Sequence, residues 1–303
     1  MSTEYYKSQE EYIMDYKIDG HTTLLALIGS PVGHSGSPAM YNYSFQRLGL
    51  NYVYTAFDVK EEDVPQALDA MRLFHMRGMN VTMPDKIAAA KCMDELSPAA
   101  RIIGAVNTIV NEDGKLIGHM TDGVGFVDNL RDHGVEVKGK KVTIAGGGGA
   151  ATAIQVQLAL DGAKKISIFN IKDNFFQRTV DMAARIRAEV PTCEINVYDL
   201  ADVAKMTQEI QDSDIMVNAT IVGMKPLDDQ SVVKDLSAFH EGLVVADTVY
   251  NPEETKLLRE AREHGLQTIN GKGMLLWQGV AAFKLYTGED MPVEEVKERY
   301  FSD

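Results

Sequence analysis

Val142-Thr143-Ile144-Ala145-Gly146-Gly147-Gly148-Gly149-Ala150-Ala151-Thr152-Ala153 is the stretch on which the fold turns. Val142 to Ala145 is a short apolar run rich in β-branched residues, the pattern of a buried strand. Four glycines end it, and Ala150 to Leu160 then reads as a helix stopped by Asp161-Gly162. A glycine turn at that junction lets backbone N–H groups close on a pyrophosphate, which the positive end of the helix dipole favours. The run Gly146-x-Gly148-Gly149-Ala150-x-x-Ala153 departs from strict G-x-G-x-x-G spacing, since Ala151 holds the third position. A merely tight strand-to-helix turn is the plain alternative; the strand before and the helix after favour a dinucleotide site.

Outward from this turn the chain keeps alternating. Strands are expected at Ile166–Asn170, Ile195–Tyr198, Ile215–Asn218 and Leu243–Asp247, and helices at Phe175–Glu189 and Glu253–His264. Before the charged, hinge-like Lys138-Gly139-Lys140-Lys141, strands are expected from Leu24, over Tyr52–Val59, ending at Gly78–Thr82, and over Ala105–Asn111. Helices open at Ser37-Pro38 and span about Val64–Met76. Gly273–Tyr286 and Val293–Phe301 read as two closing helices, and residues 1 to about 20 as a polar extension that could form a short helix. The fold class is therefore α/β with mainly parallel, helix-covered sheets. A first α/β domain, residues 1–125, is completed by helices in 274–303, and a Rossmann-type doubly wound dinucleotide domain spans 126–273. The active site is expected in the cleft between them.

Composition narrows the function. The chain has 303 residues, more than one core usually supports, and a net charge of −14. With pI near 5.0 and mean hydropathy −0.16 it does not suit nucleic acid, which wants a basic face. Cys92 and Cys193 lack CxxC spacing and read as reduced core residues. No signal peptide or membrane span is expected, which makes the cytoplasm the default compartment. A homodimer is the assembly kept in view. The seven histidines show no ligand spacing, so no metal is expected. Met71, Met76 and Met79 read as core filler.

About twenty residues past the glycine run, Phe169-Asn170-Ile171-Lys172-Asp173 closes the next strand. An acidic side chain there accepts from ribose hydroxyls and repels a 2′-phosphate, so Asp173 favours NAD. Its plain alternative is an N-cap for a helix starting at Asn174. Lys172 offers a cation to a 2′-phosphate and keeps NADP open.

Four motifs of the first 125 residues put hydroxyl, amide and charged groups on strand-to-helix loops, where α/β sheets bind ligands. They are Ile28-Gly-Ser-Pro-Val-Gly-His34-Ser35-Gly-Ser37-Pro38, Asn80-Val-Thr82-Met-Pro84-Asp-Lys86, Gly104-Ala-Val-Asn107-Thr108 and Thr121-Asp122-Gly123. In order and spacing they resemble the shikimate/quinate dehydrogenases, from about Leu24 to Phe301. Asn218-Ala-Thr220-Ile-Val-Gly223-Met224 and Gly273-Met-Leu-Leu-Trp277-Gln278-Gly279 match as well. Asn170 to Asp173 followed by Phe175-Phe176 is similar to the branch that takes NAD or NADP.

The resemblance implies hydride transfer between NAD(P) and the secondary alcohol of shikimate or quinate, in the shikimate pathway or quinate metabolism. It implies that Ser35 and Ser37 bind the substrate carboxylate. Thr82, Lys86, Asn107, Asp122 and Gln278 would hold the ring hydroxyls, with Lys86 and Asp122 the coupled catalytic pair. On the cofactor side it implies Gly147, Gly148, Gly149 and Ala150 at the pyrophosphate and Asn170 and Asp173 at the adenosine ribose, with Gly146 and Lys172 as further cofactor-binding candidates. Thr220, Thr248, Val249, Tyr250, Asn251, Gly271 and Gly273 would line the rest of the cofactor site, the last six at its nicotinamide end. Outside its motif Lys86 would read as a solvated surface lysine, Ser37 as an N-cap before Pro38, and His34 as a packing residue. His119-Met120 stand where the family usually has Asn before Thr-Asp, which bears on the loop that carries Asp122. The alternatives are a dehydrogenase of another cyclic polyol acid (quinate-only, aminated or folate-linked) and a ligand sensor without turnover.

Overall fold

The computed structural model describes residues 17–301; most of the expected N-terminal extension lies outside them. Contacts divide the chain into two compact units. The first comprises the described residues up to Glu95, Val106–His119 and the chain from Ala282 onward; the second comprises Leu96–Ala105 and Met120–Ala281.

The first unit is built on strands β1 (Thr23–Gly29), β2 (Tyr52–Asp58), β3 (Gly78–Val81), β4 (Glu95–Leu96), β5 (Thr108–Glu112) and β6 (Lys115–His119). Their order is β2-β1-β3-β5-β6-β4. β1 runs parallel to β2 and β3, and its apolar residues Leu25 to Ile28 are buried, as a strand covered on both faces requires. β5 and β6 turn the sheet mixed. They form an antiparallel hairpin whose two-residue turn, Asp113-Gly114, has both φ positive. That is the Asp-Gly hairpin turn whose twist matches its strands, and β6 is a strand the sequence patterning had not separated.

Helices α1 (Ser37–Leu48) and α2 (Val64–Leu73) belong to this unit. The Tyr41 ring stacks on Tyr54 at 4.5 Å and Phe45 on Phe283 at 5.4 Å. Phe283 and Tyr286 lie in the later turns of α10 (Lys272–Thr287), a helix of the C-terminal segment. Gly78 lies against the Tyr286 ring, which leaves no room for a Cβ. Arg77 donates to the carbonyls of Tyr286 and Asn111 at 2.8 and 3.0 Å. The chain's end therefore completes its first core.

The second unit carries β7 (Lys141–Ala145), β8 (Lys165–Asn170), β9 (Glu194–Asp199), β10 (Ile215–Asn218), β11 (Val244–Asp247) and β12 (Gln267–Ile269). All are parallel, in the order β12-β11-β10-β7-β8-β9. The order reverses between β7 and β10, the switch point where doubly wound sheets bind ligands. Helices α6 (Gly149–Leu160), α7 (Phe176–Glu189), α8 (Val203–Gln211) and α9 (Lys256–Glu263) complete it.

By contacts the units part after Glu95, Ala105, His119 and Ala281, whereas the sequence set its divisions at 125 and 273. Close packing explains this. In α5 (Asp122–Asp132), Gly123 sits against the Ala153 carbonyl of α6, and Gly125 against the backbone of Gln278 in α10. Glycine allows these helices to touch, which draws α5 and the early turns of α10 into the second unit.

Candidate active site

At the carboxyl ends of β1 and β3 the first unit gathers polar loops. Ser35 follows β1, half-buried, and its hydroxyl accepts from the Ser37 N–H at 3.3 Å. α1 begins at Ser37 itself, with Gly36 preceding it and Pro38 in the first turn. Ser37 therefore does not occupy the cap position its sequence suggested. Past β3, the Thr82 N–H donates to the Ile28 carbonyl at 2.9 Å, fastening this loop to β1. Lys86 opens the short helix α3 (Lys86–Ala90), and its carbonyl accepts from the Val106 N–H at 3.0 Å. Asn107 is buried beside the start of β5, its carbonyl accepting from Val81 N–H at 2.8 Å. Because β5 runs antiparallel to β3, its beginning meets β3's end, and Ser35, Ser37, Thr82, Lys86 and Asn107 share one sheet edge. Asn80 is the floor of that edge. Its amide donates to the Asn107 carbonyl and to Thr108, and its oxygen accepts from the Tyr54 hydroxyl at 2.8 Å.

Asp122 and Gln278 lie in the second unit. Asp122 is the first residue of α5, and Gln278 sits on α10 beside Gly125, one turn further along α5.

The second unit holds a cavity of about 720 Å³ at the carboxyl ends of β7, β8, β10 and β11. Gly146, Gly147, Gly148, Gly149, Ala150, Asn170, Thr220, Thr248, Val249, Tyr250 and Asn251 all line it. Gly146 has φ +123°, and a Cβ there would run into the Ala219 carbonyl, so the turn demands glycine. A Cβ on Gly147 would strike Asn170 and Thr179, which are themselves joined at 3.0 Å. Gly148 and Gly149 have open space where a side chain would stand. The first amides of α6, which have no intrahelical acceptor, are left for an anion at the cavity. Residues and space fit a dinucleotide pyrophosphate.

Four expected cofactor residues are absent from the cavity lining: Lys172, Asp173, Gly271 and Gly273. Asp173 is exposed, and its carboxylate accepts from the Phe175 N–H at 2.8 Å, closing a local turn just before α7. The helix starts two residues later than the cap reading supposed. Gly271 packs on the Thr248 carbonyl and Gly273 on the Asn129 side chain, so close packing accounts for both glycines. Ile171, Ala219, Ile221, Met224, Lys225, Asp228 and Pro252 complete the lining. Their signal in the sequence was positional: each follows the polar last residue of an apolar strand run or continues such a loop.

Two family models match the chain: the shikimate dehydrogenase substrate binding domain over residues 27–109, and the shikimate 5′-dehydrogenase C-terminal domain over 271–299. A Streptococcus uberis protein named shikimate dehydrogenase (NADP(+)) is 48% identical, over 96% of this chain and 99% of its own. An Escherichia coli quinate/shikimate dehydrogenase is 45% identical, over 91% and 95%. The chain belongs to the shikimate dehydrogenase family. Members of this family are oxidoreductases that move a hydride between a nicotinamide dinucleotide and the secondary alcohol of shikimate or quinate. Among solved structures, shikimate 5-dehydrogenase from Listeria monocytogenes in complex with shikimate and NAD is similar to this family member at TM-score 0.90 and 46% identity, covering 93% of this chain and 97% of that one. Quinate dehydrogenase from Corynebacterium glutamicum in complex with NAD follows at TM-score 0.82 and 31% identity, covering 93% and 99%. Relatives at 46–48% identity carry NADP(+) in their names, so a preference for NAD, expected from Asp173, finds no support among them. Among the described residues no helix is long and apolar enough to cross a membrane, and no group of His, Cys, Asp or Glu could hold a metal ion.

Proposed function

We propose that this enzyme oxidises shikimate ahead of quinate, with either NAD or NADP, and that Lys86 and Asp122 carry the proton side of the reaction. The carrying observation is the convergence of Ser35, Ser37, Thr82, Lys86 and Asn107 on one sheet edge. Those groups match an anionic, polyhydroxylated ring: two hydroxyls for its carboxylate, then donors and acceptors for its alcohols. Shikimate precedes quinate because the relatives at 46–48% identity are named for it.

When bound, the nicotinamide supplies the hydride acceptor or donor. The coupled Lys86–Asp122 pair takes the hydroxyl proton as the alcohol becomes a ketone and returns it in reduction. Ser35 and Ser37 hold the carboxylate so that a single ring carbon faces the reaction. The cavity lined by Gly146–Ala150 would seat the pyrophosphate, Asn170 in its lining would meet the adenosine ribose, and Lys225 is the cation that lining offers to a 2′-phosphate.

The test is initial-rate formation of NADH and NADPH against shikimate and quinate in parallel, for the natural chain and Lys86→Ala. The variant should lose roughly 10²–10⁴-fold in kcat while cofactor Kd stays unchanged. Near-normal turnover by Lys86→Ala would take the lysine out of the mechanism. Absence of turnover with both acids in the natural chain would sink the substrate assignment.

A further inference from the structure

One buried pair beneath the cofactor cavity has no part in the chemistry above. The parallel register of β10 and β11 sets Asn218 beside Asp247, the last residue of each strand. The Asn218 amide N–H group donates to the Asp247 carboxylate at 3.0 Å and to the Val222 carbonyl at 2.8 Å. Its oxygen accepts from the Thr220 N–H at 3.1 Å and the Thr220 hydroxyl at 2.7 Å. Asp247 in turn accepts from the Val249 N–H at 2.9 Å and the Thr255 hydroxyl at 2.8 Å. Gly223, at φ +104°, lies against the Thr255 side chain, with no space for a Cβ. The residues gripped this way begin the two loops, 219–224 and 248–252, that supply much of the cavity lining.

We propose that the Asn218–Asp247 pair is a positioning device for the dinucleotide, holding both loops in their binding shape from below. This rests on reading the cavity as the cofactor site. Three donors converge on Asp247, and a carboxylate is the side chain that only accepts. Only 1% of Asp247 is exposed, and burial pushes its carboxyl up to about 6 against the lowering effect of its hydrogen bonds. A buried charge is costly to the fold, and the three hydrogen bonds that tie the loops to this acid offset that cost. An amide in its place puts a donor against donors and frees the loops while relieving the charge.

The experiment compares the full-length chain with Asp247→Asn, Thr255→Val and Gly149→Glu. It reads kcat and KM for NADP⁺, NAD⁺ and shikimate, cofactor Kd by titration, and the thermal midpoint at pH 8. For Asp247→Asn, cofactor KM and Kd should rise about tenfold, the value of one hydrogen bond to a charged group. kcat should stay within about twofold and shikimate KM should not move, while the midpoint should fall as buried donors are left facing a donor. Thr255→Val removes one donor and keeps the shape; a smaller loss of about threefold is expected, and it stands as the test if Asp247→Asn fails to fold. Gly149→Glu sets a carboxylate at the helix N-terminus and should abolish cofactor binding. Unchanged cofactor KM in both pair variants, or shikimate KM rising as much as cofactor KM, overturns the positioning role while Gly149→Glu still blocks binding. Undiminished cofactor binding by Gly149→Glu overturns the cavity reading itself.

Discussion

Asp247 and Asp85 are both carboxylates at the carboxyl end of a parallel strand, both buried, and they meet opposite fates. Asp247 ends β11 with three donors aimed at it. Asp85 lies in the turn after β3, is 0% exposed, and among the described residues neither of its oxygens has a hydrogen-bond partner. Burial raises the Asp85 carboxyl above its ordinary value, and Glu61, Asp58 and Glu62 raise it further. What separates them is backbone register. It places an amide and two more donors around Asp247, while β2's end and the acidic turn after it bring only like charges toward Asp85. The same residue type thus ties loops in one unit and sits as an unsatisfied acid in the other.

Alanine is the sharpest way to break this contrast, and the effect at Asp247 should be the largest. Asp247→Ala leaves the Asn218 amide, the Val249 N–H and the Thr255 hydroxyl buried without their acceptor. Each such group costs about 1–3 kcal/mol, so a total near 4 kcal/mol is expected once the hydroxyl has turned elsewhere. Urea unfolding followed by Trp277, the single tryptophan, reads it within the second unit. A loss below about 1 kcal/mol would show that these donors do not depend on the acid.

The next effect is on pH dependence. Asp247 has a folded value near 6, raised from 3.8. The folded state therefore holds this proton more tightly than the unfolded chain does. The group's contribution to stability is complete below about pH 4 and is lost as pH rises through about 6, at most about 3 kcal/mol. Glu209 acts with the opposite sign. Burial would raise it, but hydrogen bonds from Lys165, Lys205 and Ser167 outweigh burial and hold it at about 2. Its contribution is present above about pH 4.5 and lost as pH falls toward 2. The window between about 4.5 and 6 thus belongs to the raised acids. In that window the natural chain should lose stability with rising pH, and Asp247→Asn should flatten the slope. Equal slopes in both would mean that Asp247 ionises as an ordinary surface acid.

The sequence showed one side of this contrast better than the other. The glycine run at 146–149 is local, so strand, turn and helix could be read from neighbours, and every glycine of it lines the cavity. The loops that carry Ser35, Thr82, Lys86 and Asn107 were legible through their motifs. The Asn218–Asp247 contact was not, because 29 residues separate its partners and only strand register joins them. The hairpin at Asp113-Gly114 was local and still passed over, since the surrounding parallel pattern suggested one strand where two run antiparallel. Asp173 had both its readings open for a similar reason: whether a carboxylate caps a turn or reaches a ribose depends on where the helix begins.

Asp85 gives the smallest effect and the one with the least intuitive sign. An aspartate just ahead of a helix ordinarily caps it, and its loss ordinarily costs stability. α3 receives no such bond from Asp85: its side chain makes no cap, and only its backbone carbonyl takes part, accepting from the Ala89 N–H at 2.9 Å. Alanine keeps that carbonyl and removes a buried polar group that nothing satisfies. Asp85→Ala should therefore gain about 1 kcal/mol at pH 8, the cost of an unmade hydrogen bond less the small void left behind. The sign of its linkage matches that of Asp247: a raised folded value makes the natural acid most harmful at high pH, so the gain should shrink as pH falls and the carboxyl protonates. Far-UV circular dichroism melts at pH 8 and pH 5 measure it. A clear loss of stability at both would mean that Asp85 is held by a partner after all, and the two carboxylates would then differ only in degree.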